Sequence, residues 1–136
     1  MTFRVRAYEH VGIRVTDRDA AKVFYAKLGW REVIDLPVYH ANEMVNEAGV
    51  FINLIFNGVK RPGGGNILQD ESVKYPGITH AAFVVDDMDD LIRLLDREQI
   101  PITDGPVFYG TRRRVLFIRD GDGNVLEFDE LIDKQG

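Results

Sequence analysis

Residues 9–15, Glu9-His10-Val11-Gly12-Ile13-Arg14-Val15, have a counterpart in residues 79–85, Thr79-His80-Ala81-Ala82-Phe83-Val84-Val85. Each stretch sets a histidine near the head of an alternating run, the pattern of a strand with one packed face, and the first strand is expected over 8–15. In the first, Val11, Ile13 and Val15 share a face, opposed by His10, Gly12 and Arg14. In the second, Ala81, Phe83 and Val85 are opposed by His80 and Ala82. The apolar face of each is expected to pack on helices. The other face, polar and shaved by small residues, is expected to line a concavity.

Reading outward, the two copies continue alike. A helix follows the first strand, capped by Asp17 or Asp19, with Ala20, Val23, Phe24 and Leu28 as its apolar stripe and Gly29 as its stop. Three strands follow at about 31–36, 39–46 and 50–56, with Asn46-Glu47-Ala48-Gly49 as the turn before the third. After a loop at 57–77 the order restarts. A strand at 78–85 precedes a helix at 86–99 that carries Met88, Leu91, Ile92 and Leu95 on one face. Strands at about 100–107, 113–119 and 124–131 complete the second copy, the last two joined by Asp120-Gly121-Asp122-Gly123. The chain therefore reads as one α+β domain built from two βαβββ modules, at about 5–57 and 77–132, with a linker at 58–76.

The closing strand of each module repeats the two-faced logic. Ile52, Leu54 and Phe56 oppose Asn53, Ile55 and Asn57; Leu126 and Phe128 oppose Val125, Glu127 and Asp129. Equivalent strands thus offer His10, Asn53, His80 and Glu127. Burying a carboxylate is costly unless it is paired or bound to a metal. Two histidines and a carboxylate are enough to hold a divalent ion with open positions, so His10, His80 and Glu127 are the expected metal ligands. Imidazole and carboxylate donors suit Fe, Ni, Zn or Mn. His40, on a middle strand without a counterpart, is a candidate for substrate contact. Arg14 shares the concave face with His10 and is placed to grip an anionic substrate.

Composition removes other classes. With 136 residues the chain makes one domain, and with no cysteine it has neither a disulfide framework nor a thiolate site. A net charge of −5 argues against a nucleic-acid partner, and Arg112-Arg113-Arg114 reads as a solvated strand edge. No apolar run is long enough for a membrane helix, and the N-terminus lacks the pattern of a secretory signal, so a cytoplasmic address is expected. The glycines of Arg61-Pro62-Gly63-Gly64-Gly65-Asn66 are not followed by the Lys-Ser/Thr of a phosphate-binding loop. The run Asp120–Val125 lacks the glycine that a calcium loop requires.

The pattern resembles the vicinal oxygen chelate superfamily of glyoxalases, extradiol dioxygenases and bleomycin or fosfomycin resistance proteins. The residues that carry the resemblance are Glu9-His10-Val11-Gly12, the helix end Phe24-Tyr25 to Leu28-Gly29-Trp30, Thr79-His80-Ala81-Ala82-Phe83, and Asp122-Gly123-Asn124-Val125-Leu126-Glu127. It implies an open eight-stranded mixed barrel around a metal cavity, a small-molecule substrate and assembly as a homodimer. Glyoxalase I enzymes take ligands from the four equivalent positions. Three match here, and Asn53 stands where the fourth is usually Glu. Arg14 and Asn57 resemble positions that hold the glutathione part of a substrate adduct. The resemblance thus implies a lactoylglutathione lyase-type enzyme, with Glu127 moving a proton in an enediolate-like reaction and Asn53 orienting the substrate. The 2-His-1-carboxylate set also resembles the Fe(II) site of extradiol dioxygenases, with His40 or Tyr109 as acid–base help. A third relationship is to non-catalytic binders of the bleomycin-sequestering kind, which generally lack the ligand set.

Overall fold

The computed structural model describes residues 2–132, and the described chain divides into two compact units after Lys60. The first holds β1 (Val11–Arg14), α1 (Arg18–Lys27), β2 (Arg31–Leu36), β3 (Ala41–Val45) and β4 (Phe51–Ile55). The second holds β5 (His80–Val84), α2 (Met88–Arg97), β6 (Ile102–Tyr109), β7 (Arg113–Arg119) and β8 (Val125–Leu131). The fold is therefore α+β, two βαβββ modules. Each forms a four-stranded mixed sheet, in the orders β1-β4-β3-β2 and β5-β8-β7-β6. In each, the strand before the helix runs parallel to the last strand, and the remaining pairings are antiparallel.

The same local devices build both units. Asp17 accepts from the backbone N–H of Ala20 to cap α1, and Asp87 accepts from Asp89 and Asp90 to cap α2. Each helix is followed by a left-handed residue, Gly29 (φ 103°) in the first unit and Gln99 (φ 58°) in the second. There the chain turns back, with Trp30 N–H bonding Tyr25 and Ile100 N–H bonding Leu95. The hairpin before each last strand rests on an Asx turn. Asn46 Oδ1 accepts from Ala48 and Val50, and Asp120 Oδ1 accepts from Asp122 and Asn124. The Asp-Gly-Asp-Gly-Asn run is thus a turn that folds on its own aspartate.

In the first unit burial follows the expected strand faces, with Ile13, Val15, Ile52 and Leu54 buried. In the second, β8 is buried on both faces, Leu126 and Phe128 on one and Val125, Glu127 and Asp129 on the other. Three readings are corrected. The buried stripe of α1 is Ala21 and Tyr25, while Ala20 and Val23 are exposed. Tyr25 decides this, because its ring packs edge-on against Trp30 with centroids 6.3 Å apart. The ladder of β1 begins at Val11, opposite Ile52, so Tyr8 to His10 precede the strand and Tyr8 is exposed. His40 is not on a strand. It closes a 3-10 turn, Pro37–Tyr39, in a left-handed conformation (φ 52°), with its side chain exposed.

The linker has no helix or strand but is firmly tied within the second unit. Asp70 takes two bonds from Arg119, at 2.6 and 2.8 Å. Asn66 donates to the Gly123 carbonyl at 3.0 Å, and Arg61 pairs with Glu71. No helix among the described residues is long and apolar enough to cross a membrane.

Candidate metal centre

In the second unit the ladder sets the polar face of β8 between β5 and β7. Ala82 lies opposite Glu127, with His80 opposite Val125. On the other side Phe117 faces Glu127 and Val115 faces Asp129. His80 and Glu127 therefore share a face, offset by one pair, and His80 Nε2 meets Glu127 Oε1 at 3.0 Å. Glu127 is 3% exposed and Asp129 5%. Arg113, diagonal to both, spans the two carboxylates: its Nη1 is 2.9 Å from Asp129 Oδ2 and 3.3 Å from Glu127 Oε2. The Phe117 ring stands edge-on to His80 with centroids 5.6 Å apart, and the Arg113 guanidinium lies 5.5 Å from the Tyr109 ring centroid.

Burial pushes the Glu127 carboxyl above the ordinary carboxylate range, and the neighbouring Asp129 pushes it the same way. His80 and Arg113 oppose the rise. Asp129 Oδ1 is buried with no hydrogen-bond partner, so this cluster carries more carboxylate acceptors than protein donors.

Both histidines have one ring nitrogen tied by the residue just before them. His10 Nδ1 is 2.7 Å from Glu9 Oε1, and His80 Nδ1 is 2.7 Å from Thr79 Oγ1. An ionised carboxylate only accepts, so with Glu9 ionised His10 carries its proton on Nδ1 and turns a lone pair out on Nε2. For His80 the same state needs the proton on Nδ1, donated to Thr79.

Tested against a divalent ion, the His80–Glu127 pair fits. Two donors each ~2.1 Å from one ion and ~90° apart stand ~3.0 Å from each other. That is the separation seen here, so an ion can take the place of the proton between them with little movement. Among the described residues, no group of three His, Cys, Asp or Glu side chains is arranged to hold a metal. The structure thus brings together two of the three expected ligands, His80 and Glu127.

The remaining candidates lie in the first unit. Arg14 Nε donates to Asn57 Oδ1 at 3.0 Å, so the two residues singled out for substrate are partners of each other. Asn53 is half-buried opposite Gly12 on β1. The β3–β4 register, with Met44 opposite Ile52 and Ala41 opposite Ile55, places Glu43 beside Asn53 on the same face. Sequence reading missed Glu43 and misread Arg113 as part of a solvated edge. Alternation counted back from the Asn46 turn would have found the first. No local signal finds the second, because its partners lie 14 and 16 residues away.

A family model described as the Glyoxalase/Bleomycin resistance protein/Dioxygenase superfamily matches residues 7–128. No curated protein matches the chain in sequence. Among solved structures, a glyoxylase/bleomycin resistance protein/dioxygenase domain from Frankia sp. EAN1pec is similar at 26% identity and a TM-score of 0.71, covering 96% of each chain. A glyoxalase/dioxygenase from Nostoc punctiforme is 20% identical with a TM-score of 0.68, covering 98% of this chain and 100% of that one. A genomically encoded fosfomycin resistance protein from Listeria monocytogenes is 15% identical with a TM-score of 0.66, covering 93% and 94%. The last two likenesses are of fold alone.

Proposed function

The chain belongs to the Glyoxalase/Bleomycin resistance protein/Dioxygenase superfamily, and from that premise we propose that it is a metal-dependent enzyme of the glyoxalase type. Its substrate would be small, with oxygens on adjacent carbons, as in a glutathione adduct of a 2-oxoaldehyde. The observation that carries this reading is the His80 Nε2–Glu127 Oε1 pair at 3.0 Å, with the other nitrogen of the ring already tied. His80 and Glu127 would hold the ion, with His10 as the third ligand through Nε2. A bound Fe, Ni, Zn or Mn ion supplies a Lewis acid that polarises the two substrate oxygens.

The protein's own residues supply the rest. Glu127, with Oε1 released from the ion and Oε2 kept on Arg113, would move the proton: it takes one from the carbon bearing one oxygen and returns it to the neighbouring carbon, with no net change of redox state. Its raised carboxyl makes Glu127 a stronger proton acceptor than an ordinary carboxylate. Asn53 is uncharged and orients rather than abstracts. Arg14 and Asn57 would hold the anionic end of the substrate. The proposed working form is a cytoplasmic homodimer.

Asn53 also favours a second reading. With an amide in place of a fourth charged ligand, His10, His80 and Glu127 make the 2-His-1-carboxylate set of an Fe(II) oxygenase. One experiment separates the two readings. Chelator-stripped protein is reloaded with Fe(II), Ni(II), Zn(II) or Mn(II). It is assayed on methylglyoxal with glutathione, and on catechols in the presence of oxygen. Isomerisation without ring cleavage supports the first reading, and ring cleavage confined to the Fe(II) form supports the second. Bound small molecule with no turnover under any loading would make the chain a binder and overturn both.

A further inference from the structure

We propose that Arg113 is a positioning residue that fixes Glu127 by one oxygen, so that only Oε1 is offered to a cation beside His80. The inference rests on reading His80 and Glu127 as metal donors, and it concerns a residue outside the ligand set.

The two oxygens of Glu127 have divided tasks. Oε1 faces His80 Nε2 at 3.0 Å, and Oε2 is held by Arg113 at 3.3 Å. A carboxylate on a strand has free torsions, and without a second contact it could turn both oxygens toward an ion. The cross-strand neighbours of Glu127 are Phe117 and Ala82, whose side chains have no donor to prevent this. Arg113 reaches the carboxylate diagonally instead. The guanidinium is itself fixed, by Asp129 Oδ2 at 2.9 Å on one side and the Tyr109 ring on the other. Asp129 is buried and on the same face as Glu127, so it serves as the anchor for the anchor.

Charge points the same way. With both carboxylates ionised, as metal binding requires, and His80 neutral, the one guanidinium leaves one negative charge over, and Asp129 Oδ1 has no donor. With Arg113 present, the cluster can accept a divalent cation while Glu127 stays locked. Both carboxylates are met by the single nitrogen Nη1 at the end of the long arginine side chain, so a lysine keeps the charge but, being shorter and without the planar group that lies over Tyr109, reaches them less well.

Three chains test this: the parent, Arg113→Met and Arg113→Lys. Each is stripped of metal, checked for folding by circular dichroism and titrated with Co(II). The parent is expected to bind one Co(II) per chain. Arg113→Met is expected to bind about 10–100-fold more weakly, the usual cost of losing an outer partner of a ligand. Its visible Co(II) bands should shift as Glu127 changes from one donor oxygen to two, with Arg113→Lys in between. A folded Arg113→Met with the parent's affinity and spectrum would overturn the proposal. If Arg113→Met does not fold, Arg113→Met combined with Asp129→Asn, which strands no extra charge, is measured instead against the same outcomes. A metal-free readout keeps the two readings apart. In long-range 1H–15N spectra, assigned with His80→Gln, the His80 Nε2 signal should move in Arg113→Met because Glu127 is released. Parent protein that binds no Co(II) would end the metal reading, and the His80 signal would still decide for or against Arg113.

Discussion

At the scale of single residues, Glu127 gives the sharpest expectation. Its carboxyl sits above the ordinary value near 4.5 because of burial and Asp129. The folded chain therefore holds that proton more tightly than the unfolded chain. The stability it contributes is fully present below about pH 4.5 and is lost as pH rises through the folded-state value. Metal-free parent should lose more stability as pH rises above about 4.5 than Glu127→Gln does, as read by urea unfolding. Equal losses would contradict the burial argument. Much of this site was legible beforehand. His80 and Glu127 occupy repeat-equivalent strand positions, and strict alternation told which way they face. Arg113 was not legible, because a basic triplet looks the same in sequence whether it is solvated or bridging buried acids. His40 was misplaced because its left-handed turn interrupts a run that otherwise alternates like a strand.

At the scale of elements, the β3–β4 pairing of the first unit depends on a buried amide. Asn42 is 0% exposed, accepts from Leu54 N–H at 2.9 Å and donates to Glu32 at 2.9 Å. Asn42→Leu would leave the buried Leu54 N–H without its acceptor, while Glu32 keeps Arg18 and Lys22, and should lower stability by about 1–3 kcal/mol in urea unfolding. A fully tolerated substitution would mean that the ladder satisfies Leu54 without it. The linker makes a different prediction. Arg119 and the Asn66 N–H hold the Asp70 carboxyl well below the usual range, and the pair straps 61–77 to the second unit. Asp70→Ala should speed tryptic cleavage after Lys74 while leaving the urea midpoint nearly unchanged, since the pair lies at the surface. The cap of α1 and both hairpin turns were readable from Asp17, Asn46 and the Asp120 run, because these residues act on backbone within four positions. The buried stripe of α1 was not, because Tyr25 owes its place to Trp30, which lies beyond the helix end.

At the scale of the whole molecule, the order of elements was the most legible property. The βαβββ unit recurs with the same caps, the same helix exits and the same hairpin device, although the two copies share few residues. From sequence alone that recurrence places a histidine and a closing-strand polar group in each half. Chemistry was less legible than architecture. Asn53 breaks the four-ligand pattern, and the neighbouring Glu43 became visible only through strand register. The central claim is that His80 and Glu127 hold a divalent metal ion. It is tested most directly by anomalous X-ray diffraction from crystals grown with Co(II). The predicted result is one strong peak per chain within bonding distance of both His80 Nε2 and Glu127 Oε1. A peak away from these atoms, or none at saturating Co(II), would contradict the account.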